Sequence, residues 1–228
     1  MVRRSCPVPG TRRPPWHQRL RAAIAAPVAR YLSRQAARPH GPVGRLIARN
    51  WVRETAAVND TAVDLLAPQA GERIGEIGFG PGRTIARLAA AGADVLGVDA
   101  SADMVAAAAR RNAAHITAGR IQLHHGDNTL PTGDGTLDGV LSVHSLYFWP
   151  DPAVVLAEIR RALRPGGRLV LAFRCGEHPR PARFDPTVYR VPTTTEAVGW
   201  LNHAGFTNVA VHRRPRTATI VWITATAP

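Results

Sequence analysis

The chain has 228 residues, 45% of them hydrophobic, which is long enough for one full-sized core and too apolar for a disordered chain. No apolar run approaches the ~20 residues that span a bilayer, so the sequence predicts a soluble protein without a transmembrane helix. The formal net charge is +13, and every basic side chain other than histidine is an arginine.

The positive charge is concentrated near the N-terminus. Twelve arginines lie in residues 1–53, ahead of the first acidic residue, Glu54, and the remaining seventeen face sixteen Asp and Glu. Such a block can contact anionic lipid or nucleic acid, but it is more often a solvated tail. The sequence therefore predicts a basic, partly disordered N-terminal arm over residues 1–41, followed by a nearly neutral folded domain.

The number and spacing of the cysteines indicate the cellular compartment and whether a metal site is expected. Cys6 and Cys175 are too few for a disulfide framework, and there is no Cys-x-x-Cys pair for a metal. We therefore predict no metal site and a reducing, cytoplasmic location.

The first third of the chain is predicted to be helical. A helix is expected over residues 16–37, broken or kinked at Pro27. The segment Pro39–Pro42 interrupts it, and apolar residues at helical spacing then predict a second helix over residues 43–66.

From Glu72 onward, strand and helix patterns alternate. The expected strands are 73–78, 94–98, 121–124, 137–143, 168–173, 207–213 and 217–226. The expected helices are 83–91, 101–114, one from Pro152 to just before Pro165, and one from Thr193 to Ala204. This alternation predicts βαβ units, a parallel sheet and the α/β class.

A glycine-rich turn follows the first strand. Glu76 stands two residues before Gly78, and Gly80 and Gly82 follow before a helix. Glycines allow a close approach of the backbone to a ligand, and the helix N-terminus offers free N–H groups. The dinucleotide pattern G-x-G-x-x-G would need glycine where Arg83 stands, so nicotinamide binding is disfavoured, though not excluded.

Two acidic residues end the next two strands. Asp99 lies 21 residues after Gly78, where a carboxylate can accept from both ribose hydroxyls of a nucleoside. Ser101 is available to cap the following helix, which favours the ribose role for Asp99. Asp127, beside Asn128, could accept from an adenine amine or could simply hold a turn.

Four stretches together resemble one family: GEIGFGPGRT, GVDASADM, HGDNTLPTGDGTLDGVLSVHSLYFWPDP and LRPGGRLVLAF. They are similar to class I S-adenosylmethionine-dependent methyltransferases, especially the group near the ubiquinone/menaquinone C-methyltransferases. Over residues 42–228 the resemblance implies a doubly wound, mostly parallel seven-stranded sheet with an N-terminal helical extension, and a lid over residues 43–66. It also implies S-adenosylmethionine as cofactor, bound by Glu76, Gly78, Gly80, Asp99, Ala100, Met104, Asp127, Asn128 and Val143.

The candidates for chemistry follow the fourth strand. A methyl sulfonium is already activated, so alignment of the reactants is the main requirement and a base is optional. His144 could deprotonate an acceptor or could be a hydrogen-bonded loop histidine. Tyr147, with Phe148 and Trp149, could line an acceptor pocket or could anchor the loop.

These motifs predict methyl transfer to a small-molecule acceptor. The alternative is a non-catalytic S-adenosylmethionine-binding regulatory protein, because the motifs report cofactor binding and not turnover. No nucleic-acid partner is expected, since the chain carries no Asn-Pro-Pro-Tyr or Pro-Cys motif for base methylation and the domain is close to neutral.

Overall fold

A computed structural model describes residues 16–228, with side-chain environments from Ala26 onward except that of Arg216. Cys6 and the other residues of segment 1–15, the beginning of the arm predicted over residues 1–41, lie outside the described residues. Within the described range, no helix combines the length and the apolar character needed to cross a bilayer.

The described residues form seven strands and eight α-helices. The strands are β1 (Arg73–Ile77), β2 (Asp94–Asp99), β3 (Ile121–His125), β4 (Leu137–Val143), β5 (Leu163–Arg174), β6 (Thr207–His212) and β7 (Ile220–Thr226). The helices are α1 (Trp16–Ala37), α2 (Gly41–Glu54), α3 (Ala56–Leu66), α4 (Arg83–Ala90), α5 (Ala102–Arg111), α6 (Ala113–Thr117), α7 (Pro152–Ala162) and α8 (Thr194–His203). Single 3₁₀ turns cover Leu146–Phe148 and Pro215–Thr217.

All seven strands form one sheet in the order β3-β2-β1-β4-β5-β7-β6, which confirms the predicted fold class. The first five strands along the chain are parallel to one another, and β7 runs antiparallel to both β5 and β6. The strand order reverses between β1 and β4. In open α/β sheets the carboxyl ends of the strands at such a switch point form a crevice where ligands bind.

Both faces of the sheet are covered by helices, which is why its strands are apolar nearly throughout. On one face, α3 and α4 pack with Ile74, Leu141 and Trp222. The indole N–H of Trp222 donates to the carbonyl oxygen of Val58 at 3.0 Å and so ties α3 to β7. On the other face, α7 and α8 pack over Phe173 and its neighbours.

Gly75 lies in the middle of β1, where side-chain packing leaves room only for glycine. A Cβ at Gly75 would lie 2.9 Å from Leu137 Cδ1 and 3.3 Å from Val140 Cγ2. The larger side chains of β4 therefore occupy the space that an apolar residue in β1 would fill.

Several predicted boundaries are wrong. The helix expected over 43–66 is two helices that meet at Thr55, whose hydroxyl donates to the carbonyl oxygen of Trp51 at 2.8 Å, a contact that bends helices. The helix expected over 101–114 ends at Arg111. There Asn112 donates to the carbonyl oxygen of Gly82 at 3.1 Å.

α1 spans the predicted residues 16–37 and is continuous through Pro27, and the kink expected there stays a prediction. One further boundary differs because of backbone pairing. β5 begins at Leu163 and not at residue 168, because Leu163 pairs with Leu137 across a register shift. Residues 165–167, expected to lie between the preceding helix and the strand, are therefore part of β5.

Candidate functional site

A cavity of about 600 Å³ lies at the carboxyl ends of β1, β2, β4 and β5, within the ~300–1,000 Å³ typical of small-molecule sites. Helices α1, α2 and α3 form the opposite wall. The predicted site residues that line it are Gly78, Gly80, Asp99, Met104, Val143, His144 and Tyr147. Glu76, Ala100, Asp127 and Asn128 lie outside the lining.

The three glycines of the turn serve different purposes, although all have a left-handed φ, of 76°, 56° and 76°. A Cβ at Gly78 would lie 2.5 Å from Ser145 Cβ, and one at Gly82 would lie 2.6 Å from Ala108 Cβ. A Cβ at Gly80 would meet no atom within 4 Å. Gly78 and Gly82 are therefore required by packing, while Gly80 presents bare backbone to open space in the cavity.

Arg83, which replaces the third glycine of the dinucleotide pattern, begins α4. Its guanidinium binds the carboxylate of Asp60 on α3 through two hydrogen bonds, of 2.8 and 2.9 Å. This residue thus joins the wall formed by the N-terminal helices to the glycine turn.

Asp99 is fixed beside that turn and is only 8% exposed. One carboxylate oxygen accepts from the N–H of Gly80 and the other from the N–H of Ser101, each at 2.8 Å. Burial raises the pKa of Asp99, against the opposing effect of these two N–H groups. Each oxygen keeps a further lone pair, so the carboxylate can still accept from two hydroxyls in the cavity.

Ser101 caps α5 in the predicted way. Its hydroxyl oxygen accepts from the N–H of Met104 at 3.3 Å. Asp99 is therefore not needed as the helix cap, which supports a ligand-binding role for it.

Glu76 is buried beneath the turn, and its Oε2 atom has no hydrogen-bond partner among the described residues. Removal from water, and then the nearby charge of Asp99, raises the pKa of Glu76 to about 8. Glu76 is thus an uncharged buried acid at neutral pH. Its predicted contact with a cofactor stays a prediction.

On the predicted adenine side, one residue forms an ion pair with the segment that follows α1. Asp127 is exposed and accepts a hydrogen bond from the guanidinium of Arg38. The carbonyl oxygen of Ala100 lies 3.2 Å from Nε2 of His125, and Asn128 is half-buried. The adenine contacts assigned to Ala100, Asp127 and Asn128 stay predictions.

His144 and Tyr147 form a hydrogen-bonded pair, with 3.0 Å between Nδ1 and the phenolic oxygen. The Tyr147 oxygen also accepts from the backbone N–H of Arg174. When the Tyr147 hydroxyl donates to Nδ1 of His144, the imidazole proton is on Nε2, and when Nδ1 carries the proton it donates to the Tyr147 oxygen. Removal from water lowers the pKa of His144 to about 4 and raises that of Tyr147. At neutral pH, His144 is therefore an uncharged hydrogen-bond donor.

The C-terminal half of α1 is attached to the rest of the fold. The Ser33 hydroxyl donates to the carbonyl oxygen of Arg183 at 3.1 Å and accepts from the N–H of Asp185 at 2.9 Å. The carbonyl oxygen of Pro39 accepts from Ser101, and the N–H of Gly41 donates to an Asp103 oxygen at 2.7 Å.

These contacts join residues on the two sides of residue 41, the predicted boundary between the arm and the folded domain. That boundary stays a prediction. Residues on both sides of it line the cavity: Ser33, Ala36, Ala37 and Pro39 before it, and Ile47, Trp51 and Val58 from α2 and α3.

The loop after β5, residues 175–193, also belongs to the cavity wall, which the sequence patterns did not indicate. Phe184 and Tyr189 stack in parallel, with ring centroids 4.3 Å apart, and Tyr189 meets Phe148 at 4.8 Å. These rings line the cavity with Arg174 and Arg183. The only signal in the sequence was a pair of aromatic residues in a proline-rich loop, and no local pattern connects that loop to β4.

Comparison with known proteins supports the architecture. Residues 75–171 match the family model described as a methyltransferase domain. The uncharacterized methyltransferase YdaC of Bacillus subtilis is 31% identical over 136 residues, which cover 58% of this chain and 71% of YdaC.

A second relative is the ubiquinone/menaquinone biosynthesis C-methyltransferase UbiE of Rubrivivax gelatinosus, 33% identical over 165 residues, which cover 72% of this chain and 58% of UbiE. The chain spans about half the length, or less, of other curated relatives that it matches: 43%, 32% and 49%.

Among solved structures, phosphoethanolamine N-methyltransferase 2 of Haemonchus contortus, in complex with phosphomonomethylethanolamine and S-adenosylhomocysteine, superposes with a TM-score of 0.70. The match covers 83% of this chain and 58% of that one, at 18% identity. At this identity, the similarity shows a shared fold.

Proposed function

The chain belongs to the class I S-adenosylmethionine-dependent methyltransferases, and on that premise we propose that it transfers the methyl group of S-adenosylmethionine to a small molecule bound in the same cavity. The observation that carries the proposal is the single cavity itself. At one end it has the glycine turn and Asp99, and at the other it has the rings of Phe148, Phe184 and Tyr189.

The residues at the first end fit the cofactor. The open backbone at Gly80 suits the amino-acid part of S-adenosylmethionine, and the free lone pairs of Asp99 suit its ribose hydroxyls. Met104, buried and in the lining, would pack near the adenine, and Val143 near the methionine end. When bound, the cofactor supplies a methyl group that is already activated as a sulfonium.

Asp127 and Asn128 would complete this end of the site. Because Arg38 holds Asp127, contact with an adenine amine requires that carboxylate to share or release the guanidinium. The ion pair is exposed, and such pairs contribute little free energy, about 0–1 kcal/mol. Replacing the contact with Arg38 by a contact with the adenine amine would therefore cost little free energy.

Alignment of acceptor and methyl group is the main catalytic contribution that the geometry supports. With a pKa of about 4, His144 is a weak base and would assist only an acidic acceptor. Nε2 can accept a proton only in the tautomer in which Nδ1 carries the ring proton and donates a hydrogen bond to the Tyr147 oxygen. In that tautomer the hydroxyl proton of Tyr147 points away from His144. Tyr147 would therefore position His144 as well as line the cavity.

The proposal is tested with S-adenosylmethionine carrying a radiolabelled methyl group. The protein is incubated with a metabolite extract in one reaction and with tRNA, DNA or denatured protein in others. We expect label in the low-molecular-weight fraction only. Label in a macromolecule would contradict the small-molecule assignment.

If the cofactor binds but no fraction acquires label, the non-catalytic alternative is supported instead. The cytoplasmic location stays a prediction.

A further inference from the structure

Arg174 is a cation without a counter-ion in the cavity wall. It is the last residue of β5, and within residues 26–228 no carboxylate lies within 4.0 Å of its guanidinium. One terminal nitrogen donates to Oγ1 of Thr219 at 3.0 Å, and the other reaches the carbonyl oxygen of Pro179 only at 3.5 Å. Nε is buried without a partner. A guanidinium has five N–H donors, so most of them are unpaired.

A second unpaired polar group and a second arginine line the same part of the cavity. Oγ1 of Thr217 is buried and has no hydrogen-bond partner among the side chains that the structure describes. The guanidinium of Arg183 lies over the Phe184 ring, 5.5 Å from its centroid, and likewise has no carboxylate within 4.0 Å in the described part of the chain.

The charges of the lining are unequally distributed. Arg83 is neutralised by Asp60, and Asp99 is held at the glycine turn by two backbone N–H groups. Glu54, at the end of α2, is the other carboxylate of the lining. The loop after β5 therefore contributes positive charge to the acceptor end and no carboxylate to the lining.

The same end of the cavity is apolar and aromatic. Tyr189 contacts the rings of Tyr147, Phe148 and Phe184, and Tyr147 also contacts Phe148, with centroid separations of 4.3–5.8 Å. Flat rings and aliphatic surface of this kind bind a flat apolar body. A guanidinium beside them binds a carboxylate or phosphate through charge-assisted hydrogen bonds.

We propose that the acceptor is an anion, a flat and largely apolar molecule with one carboxylate or phosphate group, held at that group by Arg174 and Arg183. The inference rests on the proposed function, because it names the class of molecule that shares the cavity with the cofactor. The two arginines are binding residues here and take no part in proton transfer.

The test uses 3-phenylpropanoate, its uncharged amide 3-phenylpropanamide, and phenyl phosphate as probes, titrated by calorimetry into protein saturated with S-adenosylhomocysteine. Binding of S-adenosylhomocysteine is measured first, so that a failure of the proposed function is seen separately. We expect at least one anionic probe to bind at least tenfold more tightly than the amide. The preferred anion distinguishes a carboxylate from a phosphate acceptor.

Two variants remove one charge each, Arg174→Gln and Arg183→Gln. Arg180→Gln is the control, because Arg180 is an exposed arginine of the same loop outside the cavity lining. We expect Arg174→Gln to weaken anion binding at least tenfold, Arg183→Gln to weaken it less, and neither to change amide binding. Arg183 is exposed, so its variant keeps the test decisive if Arg174→Gln does not fold.

The proposal is overturned by any of three results with the cofactor product bound. These are equal affinity for the anionic probes and the amide, no detectable binding of either anion, or anion binding that neither cavity variant changes.

Discussion

At the scale of single residues, a substitution at Gly80 distinguishes an effect on cofactor binding from an effect on stability. Its φ of +56° strains any residue with a Cβ, at a cost of about 1–2 kcal/mol. Gly119 has a φ of +74°, also with no atom within 4 Å of the Cβ position, but lies outside the cavity lining. A Cβ at either position would therefore bring the same backbone strain. The proposed ligand lies beside Gly80 and not beside Gly119.

We predict that Gly80→Ala and Gly119→Ala lower the melting temperature by similar amounts. Only Gly80→Ala should weaken S-adenosylhomocysteine binding, by at least roughly tenfold, which corresponds to ~1.4 kcal/mol. Thermal melts and calorimetric titration of both variants measure this. Equal cofactor affinity in the two variants would show that no ligand atom occupies the space beside Gly80.

Glu76 predicts a pH dependence of stability with a defined sign. Its pKa is raised from 4.5 to about 8, so the folded state binds this proton more tightly than the unfolded state does. Its contribution to stability is complete below about pH 4.5 and is lost as the pH rises towards 8. Glu76→Gln keeps the uncharged form at every pH.

We predict that Glu76→Gln melts several degrees above the wild type at about pH 8.5, and that the difference disappears near pH 4.5. About 1 kcal/mol moves the melting temperature of a domain of this size by roughly 2–4 °C. Glu72→Gln is a control of opposite sign, because hydrogen bonds from Arg168 and from the N–H of Gln69 lower the pKa of Glu72. A pH-independent offset for Glu76→Gln would contradict the account.

The residues that sequence could predict are those whose role is local. Gly80 follows from the turn between β1 and α4, and the position of Asp99 at the tip of β2 follows from strand length. Tyr189 could not be found in this way, because its place in the cavity depends on the loop after β5 folding back over β4. No spacing in the chain encodes that contact.

At the scale of elements, the attachment of α1 decides whether the cavity is closed on that side. Ser33 is 1% exposed and makes two hydrogen bonds to the loop after β5. That loop supplies Phe184 and Tyr189 to the acceptor end. A change at Ser33 should therefore reach the loop without touching the cofactor residues.

We predict that Ser33→Ala speeds hydrogen exchange of the Asp185 amide about tenfold or more, because two hydrogen bonds of about 1 kcal/mol each are lost. Arg34→Ala, at an exposed position of the same helix, is the control and should leave that amide unchanged. Should Asp185 exchange at the wild-type rate in Ser33→Ala, α1 would not hold the loop in solution.

Element types could be predicted better than their ends. The alternation after Glu72 predicts all seven strands, since each is a short apolar run between turn residues. The breaks at Thr55 and Asn112 depend on single side-chain contacts, one to Trp51 and one to Gly82. Such contacts compete with helix hydrogen bonds only in the folded chain.

At the scale of the whole molecule, the sheet and the N-terminal helices form opposite sides of the cavity. The reversal of strand order between β1 and β4 places the glycine turn and His144 at the same edge. Helices α1 to α3 then enclose that edge from the other side. Asp99 and Val143 thus lie at strand ends of the sheet, and Phe184 and Tyr189 lie in a segment that connects to it.

Whether the cavity binds S-adenosylmethionine is best decided by a calorimetric titration of the wild-type protein with S-adenosylhomocysteine, repeated in the presence of excess NADH. We expect binding to one site per chain, unaffected by NADH, because Arg83 stands where a dinucleotide turn requires glycine. Absence of S-adenosylhomocysteine binding by the folded protein, or its displacement by NADH, would contradict the assignment of the cavity.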